Sequence, residues 1–356
     1  MSNNMMAPRI GLYAHRLSGP AAEIVAARTG RYCFIVSNRW EQHVSELRNH
    51  AIYVAQQLMP QCLPISPSPW EPWNLNHRLQ RLVAQNDWWL RTASGNIVST
   101  GGWGPTGWVN FAKAGVGVGL ATEIGAWARG EGLQGGRCSW NALIFELWAR
   151  TIWPGWLGTQ FYNLDANRDQ LPDHPAEVEF IWKSGCDQFT YTLKQLGITG
   201  RNFPIVVGGD SFSGHLSAWN GQNIEDIFVR QAWPREFHGW NGRGFKLAHT
   251  LAREPAMSFL HLLWHRWSPA DWARMQRLAI ATSCLLDSGI AVVSPYNPEE
   301  PQSPRGIVAH EWMGPAFKLG DPLGSHRIAD GIYTRDFQRG SVRVDPGAMD
   351  AELAVA

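Results

Sequence analysis

The sequence predicts an α/β protein, a (β/α)8 TIM barrel formed by a single elaborated domain over residues 1–356. Short runs of apolar residues recur along the chain, and each is followed by polar sequence that is compatible with a helix. Strands that are apolar throughout are typical of parallel sheets that are covered on both faces. Seven or eight such units in one chain favour a closed barrel over an open sheet.

The predicted strands follow one another from the amino terminus. They are "RIGLYAHR", "YCFIVSNRW", "AIYVAQQLMP", "NALIFELW", "FPIVVGGD", "AMSFLHLLWHR" and "IAVVSPYN". Three polar or amphipathic segments between them predict helices: "EQHVSELRNH", "EVEFIWKSGCDQFTYTLKQLG" and "ADWARMQRLAIATSCLLDSG". We expect the last of these helices to end at Gly289, because glycine is common just beyond a helix terminus.

Two further segments elaborate the predicted barrel. Residues 64–136 are rich in Gly, Trp, Pro and Asn, and they indicate a long insertion at the barrel mouth. The segment 331–346 contains the turn "QRG" followed by the alternating "SVRV", which predicts a small hairpin packed on the barrel.

Composition excludes several classes of partner. The formal charge is +1 and no stretch is densely basic, so the sequence argues against a nucleic-acid binder. No uninterrupted apolar segment approaches the roughly 20 residues of a membrane span, and the start lacks a signal-peptide pattern. We therefore expect a cytoplasmic protein, or one carried by a leaderless or virion-associated route.

Five cysteines without a CxxC pair argue against a disulfide framework or a zinc knuckle. The sequence leaves the oligomeric state open.

Twenty tryptophans are the compositional anomaly. An indole ring can stack on the C–H face of a sugar while its N–H finds a polar partner, although any one tryptophan is more often a core residue. The surplus favours an aromatic-lined cleft that binds carbohydrate.

A carboxylate stands inside one apolar run. Glu146 lies in "NALIFELW", where a buried charge is costly unless something pairs with it or uses it. Glycoside cleavage needs two carboxyl groups that flank the bond, and Glu225 in "AWNGQNIEDIF" provides a second candidate. We expect both at the carboxyl ends of adjacent strands, where TIM barrels carry their chemistry. The alternatives are a salt bridge from Glu146 to Arg150 or Arg39, and a solvated carboxylate in the first turn of a helix for Glu225.

The segment "LDANRDQLPDHPAE" has oxygen-bearing residues at the spacing of a calcium loop. The candidate ligands are Asp165, Asn167, Asp169 and Asp173. The glycine of the sharp turn and the glutamate that closes such loops are both missing, so an acidic turn without metal is the alternative. No other cofactor is required by a carboxylate mechanism.

A serine esterase is a weaker hypothesis. "VVGGDSFSGH" delivers Ser211 into a glycine-rich turn after a strand, but no D-x-x-H later in the chain provides the partners that a serine nucleophile needs. The histidine pairs lack the spacing of metal ligands.

Several segments together resemble a known family. "FYNLDANRDQLPD", "WNGQNIEDIF" and the ending "KLGDPLG…YTRDFQRGSVRVDP" are similar, in this order, to the TIM-barrel hydrolases of the hypothetical glycosyl-hydrolase-like family fifteen. The resemblance implies a hydrolytic activity on glycosidic bonds without indicating the sugar. It aligns the acid of the strand end with Glu146 and the acid of the Asn-Gly…Glu segment with Glu225.

These observations predict a glycoside hydrolase that acts on a poly- or oligosaccharide through Glu146 and Glu225. Sugar platforms, hydroxyl partners and a third acid are expected among Trp89, Trp108, Asn110, Trp148, Asp210, Trp219, Asn220, Glu311 and Trp312. The alternative from another class is a non-catalytic carbohydrate-binding or structural barrel of a virion or cell surface, because fold alone does not establish activity.

Overall fold

The structure of the protein is a computed structural model. It describes residues 10–13, 32–37, 41–49, 51–66, 74–100, 105–152, 157–200, 202–207, 219–225, 257–263, 268–287, 289–294 and 318–356. The chain forms two compact units: a first unit of Met1–Ala55 with Asn220–Ala356, and a second unit of Gln56–Trp219. Within the described ranges, no helix has the length and apolar character needed to cross a bilayer.

The described strands and helices alternate along much of the chain. The strands are β1 (Ile10–Tyr13), β2 (Tyr32–Val36), β3 (Ala51–Leu58), β4 (Cys62–Pro64), β5 (Arg91–Thr92), β6 (Ser99–Thr100), β7 (Thr106–Trp108), β8 (Ala142–Phe145), β9 (Leu164–Asp165), β10 (Ile205–Val207), β11 (Gly221–Glu225), β12 (Met257–Leu263), β13 (Gly289–Ser294), β14 (Arg327–Ala329), β15 (Ile332–Phe337), β16 (Gly340–Asp345) and β17 (Asp350–Val355). The helices are α1 (Glu41–Leu47), α2 (Leu75–Gln85), α3 (Val116–Ala128), α4 (Pro175–Gln195) and α5 (Pro269–Leu285).

A parallel sheet organises the first unit. Its strand order is β3-β2-β1-β13-β12-β11, and the neighbouring strands pair in parallel. The ring of Phe34 in β2 meets that of Phe259 in β12 edge to face, with centroids 4.6 Å apart, and both side chains are buried. The prediction of a parallel sheet built from apolar strands is confirmed. The sequence did not predict β11, because "GQNIE" is mostly polar and lacks the apolar run of the other strands.

Helix α5 begins and ends with local signals. The Ser268 side chain accepts a hydrogen bond from the Asp271 N–H at 3.1 Å, and Pro269 occupies the first turn, where its missing N–H is not needed. The helix ends at Leu285 rather than at Gly289, where we expected it to end. Gly289 instead begins β13. A Cβ there would lie 2.6 Å from the Ser283 carbonyl oxygen, so the position requires glycine.

The carboxyl-terminal residues form an antiparallel sheet with the order β14-β15-β16-β17. The segment 331–346, which the sequence predicts as a hairpin, contains β15 and β16. One more strand pairs on each side of this hairpin, so the sheet has four strands. Arg335 of β15 is buried and donates to the carbonyl oxygen of Cys284 at 3.1 Å. This bond satisfies a carbonyl at the end of α5, where helical partners are missing.

The second unit combines a parallel strand pair with small antiparallel sheets. Strands β8 and β10 pair in parallel, with Leu143 opposite Ile205 and Phe145 opposite Val207. All four residues of β8 are buried. Strands β4, β7 and β6 form a three-stranded antiparallel sheet, and β5 pairs with β9. The predicted insertion 64–136 therefore carries α2, α3 and three of these short strands.

Helices α3 and α4 approach each other through two glycines. A Cβ on Gly117 of α3 would lie 2.4 Å from the Gly185 carbonyl oxygen, and one on Gly185 of α4 would lie 1.9 Å from the Phe111 carbonyl oxygen. These carbonyl oxygens belong to the backbone, so they cannot move aside as the end of a flexible side chain can. The absence of both side chains is therefore what lets α3 and the Phe111 backbone pack directly on α4.

We expect Gly185→Ala to lower the free energy of unfolding by about 1–3 kcal/mol, because the methyl group must separate α4 from the Phe111 backbone. Urea unfolding followed by circular dichroism measures the change. Gly200→Ala is the matched control, because the nearest described atom to a Cβ there is the Gly197 carbonyl oxygen, at 3.8 Å. Equal stability of the two variants would contradict the close helix contact.

Candidate functional site

Glu146 lies directly after β8, at the carboxyl end of a buried parallel strand. Glu146 is only 7% exposed. Its backbone N–H donates to the Leu58 carbonyl oxygen at 2.8 Å, so strand pairing with the end of β3 continues through this residue. The next residue, Leu147, has a φ of 54°, in the left-handed region that non-glycine residues rarely adopt. The chain therefore turns sharply just beyond the carboxylate.

The side chain before Glu146 shows which face the carboxylate occupies. The Phe145 ring packs against Phe189 of α4, with centroids 5.9 Å apart. Successive side chains of a strand point to opposite faces, so Glu146 leaves β8 on the face opposite to α4. Arg150, one of the two salt-bridge partners considered as an alternative, donates two hydrogen bonds to Asp187 at 2.9 and 2.7 Å. Arg39, the other, lies outside the described residues.

Glu225 is the last residue of β11, and its backbone pairs in register with His261 of β12. It is therefore at the carboxyl end of a strand, as expected for an acid of the site, and not in the first turn of a helix. Glu146 and Glu225 do not lie on consecutive strands, because β10 separates β8 from β11 along the chain. Glu146 belongs to the second unit and Glu225 to the first.

The tryptophans that we expected as sugar platforms in the second unit are core residues. They are Trp89, Trp108, Trp148 and Trp219, all of them buried. Trp148 stacks on Phe189 with centroids 4.9 Å apart and meets Trp219 edge to face at 5.5 Å. A ring whose faces are covered by other aromatic rings has no face left for a sugar, so the platform prediction is corrected for Trp148.

The other three tryptophans have comparable surroundings. Trp108 lies beside Trp182 with centroids 6.1 Å apart, and Trp219 packs on Phe145 at 5.6 Å. Trp89 covers Gly107, where a Cβ would lie 3.1 Å from the indole ring. Their burial is explained by packing, and it corrects the expectation that they stack on substrate.

The remaining predicted sugar contacts are buried or lie outside the described residues. Asn110 is fully buried, and its Nδ2 donates to the Ala166 carbonyl oxygen at 2.8 Å. This hydrogen bond connects two backbone segments, which corrects the expectation that Asn110 contacts a sugar hydroxyl. Asn220 is also fully buried, and its carbonyl oxygen accepts from the Met257 N–H at 2.7 Å. The predicted residues outside the described ranges are Asp210, Glu311 and Trp312.

If Trp148 is a packing residue, Trp148→Ala should lower the free energy of unfolding by about 3–5 kcal/mol, the usual cost of truncating a buried aromatic side chain. Chemical unfolding monitored by fluorescence measures this. The control Tyr162→Ala removes an aromatic ring that is 73% exposed, and it should leave stability within about 0.5 kcal/mol of the wild type. A Trp148→Ala protein of wild-type stability would contradict its assignment to the core.

The loop predicted to bind calcium is closed by its own backbone. Asp165 Oδ1 accepts hydrogen bonds from the N–H groups of Arg168 at 2.6 Å and Asp169 at 3.1 Å. Asp173 Oδ2 accepts from the Ala166 N–H at 2.6 Å. Within the described part of the chain, no group of three or more His, Cys, Asp and Glu side chains is placed to hold a metal ion. Two of these carboxylates thus accept hydrogen bonds from the loop backbone, and calcium binding by Asp165, Asn167, Asp169 and Asp173 stays a prediction.

Arg168 fastens this turn to the neighbouring segment. Its backbone is left-handed, with a φ of 69°, and its guanidinium forms an ion pair with Asp87 and donates to the Trp89 carbonyl oxygen at 3.0 Å. The hydrogen bond from Arg168, with a second from Arg91, lowers the pKa of the Asp87 carboxyl to about 2, against a smaller opposing effect of burial.

We expect Asp87→Asn to remove a stability contribution that depends on pH. A lowered folded-state pKa stabilises the protein above the ordinary value of 3.8, and this contribution is lost as the pH falls through about 2. Because the Asp87 side chain is 48% exposed, we expect a difference of about 1 kcal/mol or less at pH 7. Urea unfolding at several pH values should show the wild type and the variant converging near pH 2.

Asp330→Asn is the control for this comparison. Asp330 is exposed and also left-handed, with a φ of 50°, so the same substitution is made on a similar backbone. A difference between wild type and Asp87→Asn that stays constant from pH 7 to pH 2 would contradict the ion pair.

Two residues beside Glu146 were not predicted from the sequence. Leu147 is left-handed, and Gln61 is fully buried with its side chain bonded to the backbone of Ala149. No local sequence signal identifies either one. A leucine does not indicate a positive φ, and a glutamine between Pro60 and Cys62 is normally expected at the surface.

The chain has a fold similar to that of glycoside hydrolases. It resembles the GH36 α-galactosidase AgaA of Geobacillus stearothermophilus with a TM-score of 0.50 and 8% identity, over 94% of this chain and 47% of that chain. TtGalA, an α-galactosidase from Thermus thermophilus, matches with a TM-score of 0.49 and 12% identity, over 97% of this chain and 67% of that chain. The galactosidase domain of the α-galactosidase-sucrose kinase AgaSK matches with a TM-score of 0.47 and 8% identity, over 96% of this chain and 46% of that chain.

The likeness to AgaA concerns the fold alone, given its 8% identity, and this chain spans somewhat less than half of the AgaA and AgaSK chains. No family model matches the chain. No curated protein matches it in sequence either. The resemblance to family fifteen therefore stays a prediction from motifs.

Proposed function

We propose that this chain hydrolyses a glycosidic bond in a poly- or oligosaccharide. The main support is the position of Glu146, a carboxylate that is 7% exposed and stands at the carboxyl end of a parallel strand. Strand ends of this kind are where α/β barrels carry catalytic groups. The fold similarity to a glycoside hydrolase agrees with this proposal.

The proposed architecture is a (β/α)8 barrel. Six strands form the parallel sheet of the first unit, and β8 and β10 add a parallel pair in the second. Eight parallel strands are the number that this fold requires. Strand β3 runs from Ala51 in the first unit to Leu58 in the second, and its end meets the residue after β8.

Glu146 and Glu225 are the proposed carboxylate pair. Both follow or end a strand, and one must protonate the leaving oxygen while the other acts as base or nucleophile. Carboxyl groups about 5 Å apart would retain the anomeric configuration, whereas a separation of roughly 6.5–9.5 Å would leave room for water and invert it. The stereochemistry of the product therefore reports the separation of Glu146 and Glu225.

The experiment is a screen of the purified protein against a panel of polysaccharides and oligosaccharides, with reducing-end release as the readout. The panel should include an α-galactoside, because the structural neighbour AgaA is an α-galactosidase. On any substrate that is cleaved, we expect Glu146→Gln and Glu225→Gln each to lower kcat by about 100-fold or more, because each removes a group that transfers a proton or attacks the sugar.

Glu352→Gln provides the control, because Glu352 is an exposed residue of β17 and should leave kcat unchanged. Binding of glycan without hydrolysis, by the wild type and both variants alike, would replace this proposal with a non-catalytic carbohydrate-binding protein. Full activity of Glu146→Gln would remove Glu146 from the reaction.

A further inference from the structure

A buried glutamine holds the segment that follows Glu146. Gln61 is 0% exposed, and its Nε2 donates to the Ala149 carbonyl oxygen at 2.7 Å while its Oε1 accepts from the Ala149 N–H at 2.7 Å. One side chain thus satisfies both polar backbone groups of a single residue. Buried backbone groups outside regular structure need such partners, and one amide supplies the matching donor and acceptor.

A second hydrogen bond joins the same two segments of the chain. The Glu146 N–H donates to the Leu58 carbonyl oxygen at 2.8 Å. Leu58 precedes Gln61 by three residues, and Glu146 precedes Ala149 by three residues. The segments 58–61 and 146–149 are therefore fastened at both ends, and we call this arrangement the exit clamp.

The exit clamp encloses a strained residue. Leu147 lies between the two fastened points with a φ of 54°. A bulky residue keeps a left-handed backbone only where its surroundings over-determine the conformation, and such strain concentrates at functional sites. The hydrogen bonds at Glu146 and Ala149 provide that constraint, and they fix the direction in which the chain leaves the strand.

Helix α4 fixes the other side of the segment. The Trp182 indole Nε1 also donates to the Ala149 carbonyl oxygen, at 3.3 Å. Arg150 holds Asp187 with two hydrogen bonds, so the residues after Glu146 are tied to α4 as well. Gln61 is the member of the exit clamp that can be substituted while the residues 146–149 keep their side chains. Its Nε2 also donates to Cys186 Sγ of α4 at 3.3 Å.

We propose that Gln61 is a positioning residue, which sets the direction of the Glu146 carboxylate by holding Ala149; this inference rests on the proposed function. A carboxylate that donates a proton or attacks a sugar must be held within a fraction of an ångström. Misplacement by about 1 Å can cost on the order of 100-fold in rate. A residue that acts only on position should lower kcat and leave substrate binding nearly unchanged.

Gln61→Met tests this role, because methionine has a similar length but neither donates to nor accepts from Ala149 as the amide does. We expect kcat to fall roughly 10- to 100-fold, with KM within about threefold of the wild type. Gln80→Met is the matched control. Gln80 is also a buried glutamine of the second unit, but its Nε2 donates to the Ile65 carbonyl oxygen at 3.3 Å, a residue outside the exit clamp.

Gln61→Glu provides a rescue that a merely structural role would not show. A protonated carboxyl has an O–H that can donate to the Ala149 carbonyl oxygen and a C=O that can accept from its N–H, whereas the carboxylate can only accept. Burial raises the pKa of such a group, which favours the protonated form. The ratio of the kcat of Gln61→Glu to that of the wild type should therefore rise toward one as the pH falls. The same ratio for Gln61→Met should stay low at every pH.

A second measurement separates this inference from the proposed function. Titration of 13C-labelled glutamate carboxyls by NMR, with the Glu146 signal assigned by its loss in Glu146→Gln, reports the surroundings of that carboxyl in the absence of any substrate. We expect Gln61→Met to change the titration of Glu146 and Gln80→Met to leave it unchanged. An inactive wild type with this result would refute the hydrolase and support the exit clamp. An active wild type whose kcat and Glu146 titration are unaffected by Gln61→Met would refute the exit clamp alone.

Discussion

The hydrogen bonds between segments 58–61 and 146–149 are the constraint on which the candidate site depends. They extend strand pairing through Glu146 and hold Ala149 from both of its polar backbone groups. Without them, a left-handed Leu147 would relax toward an ordinary backbone conformation, and the carboxylate would change direction. The local strain, the buried amide and the buried acid therefore belong to one arrangement.

The aromatic core of the second unit explains why β8 is followed by such a turn. Phe145 and Trp148 both pack on Phe189 of α4, and Trp219 packs on these two rings. The chain must therefore bring two large rings to the same face within four residues. The left-handed residue between them accommodates that requirement. The tryptophan surplus thus serves packing in this region. It stabilises the strand that carries Glu146, and it does not provide surfaces for a sugar.

The acidic turn after β9 shows why composition alone is ambiguous. Aspartate and asparagine oxygens at alternating positions are suited to calcium, and they are equally suited to the N–H groups of a tight loop. In this chain Asp165 and Asp173 accept from the loop backbone, and Arg168 anchors the loop through Asp87. The side chains that favour the two arrangements are the same, so only the positions of the neighbouring donors distinguish them.

The sequence by itself determined the elements whose signals are local. Continuous apolar runs identified strands such as Ala142–Phe145 and Met257–Leu263, and helical periodicity identified Pro175–Gln195, because burial of a whole element is visible in its own residues. It also singled out Glu146, because a charge inside an apolar run conflicts with its surroundings. The tertiary structure decided what depends on residues distant in the chain: the burial of Trp148, the strand that ends at Glu225, and the bond from Gln61 to Ala149. A side chain acquires such roles only from the partners that folding brings to it.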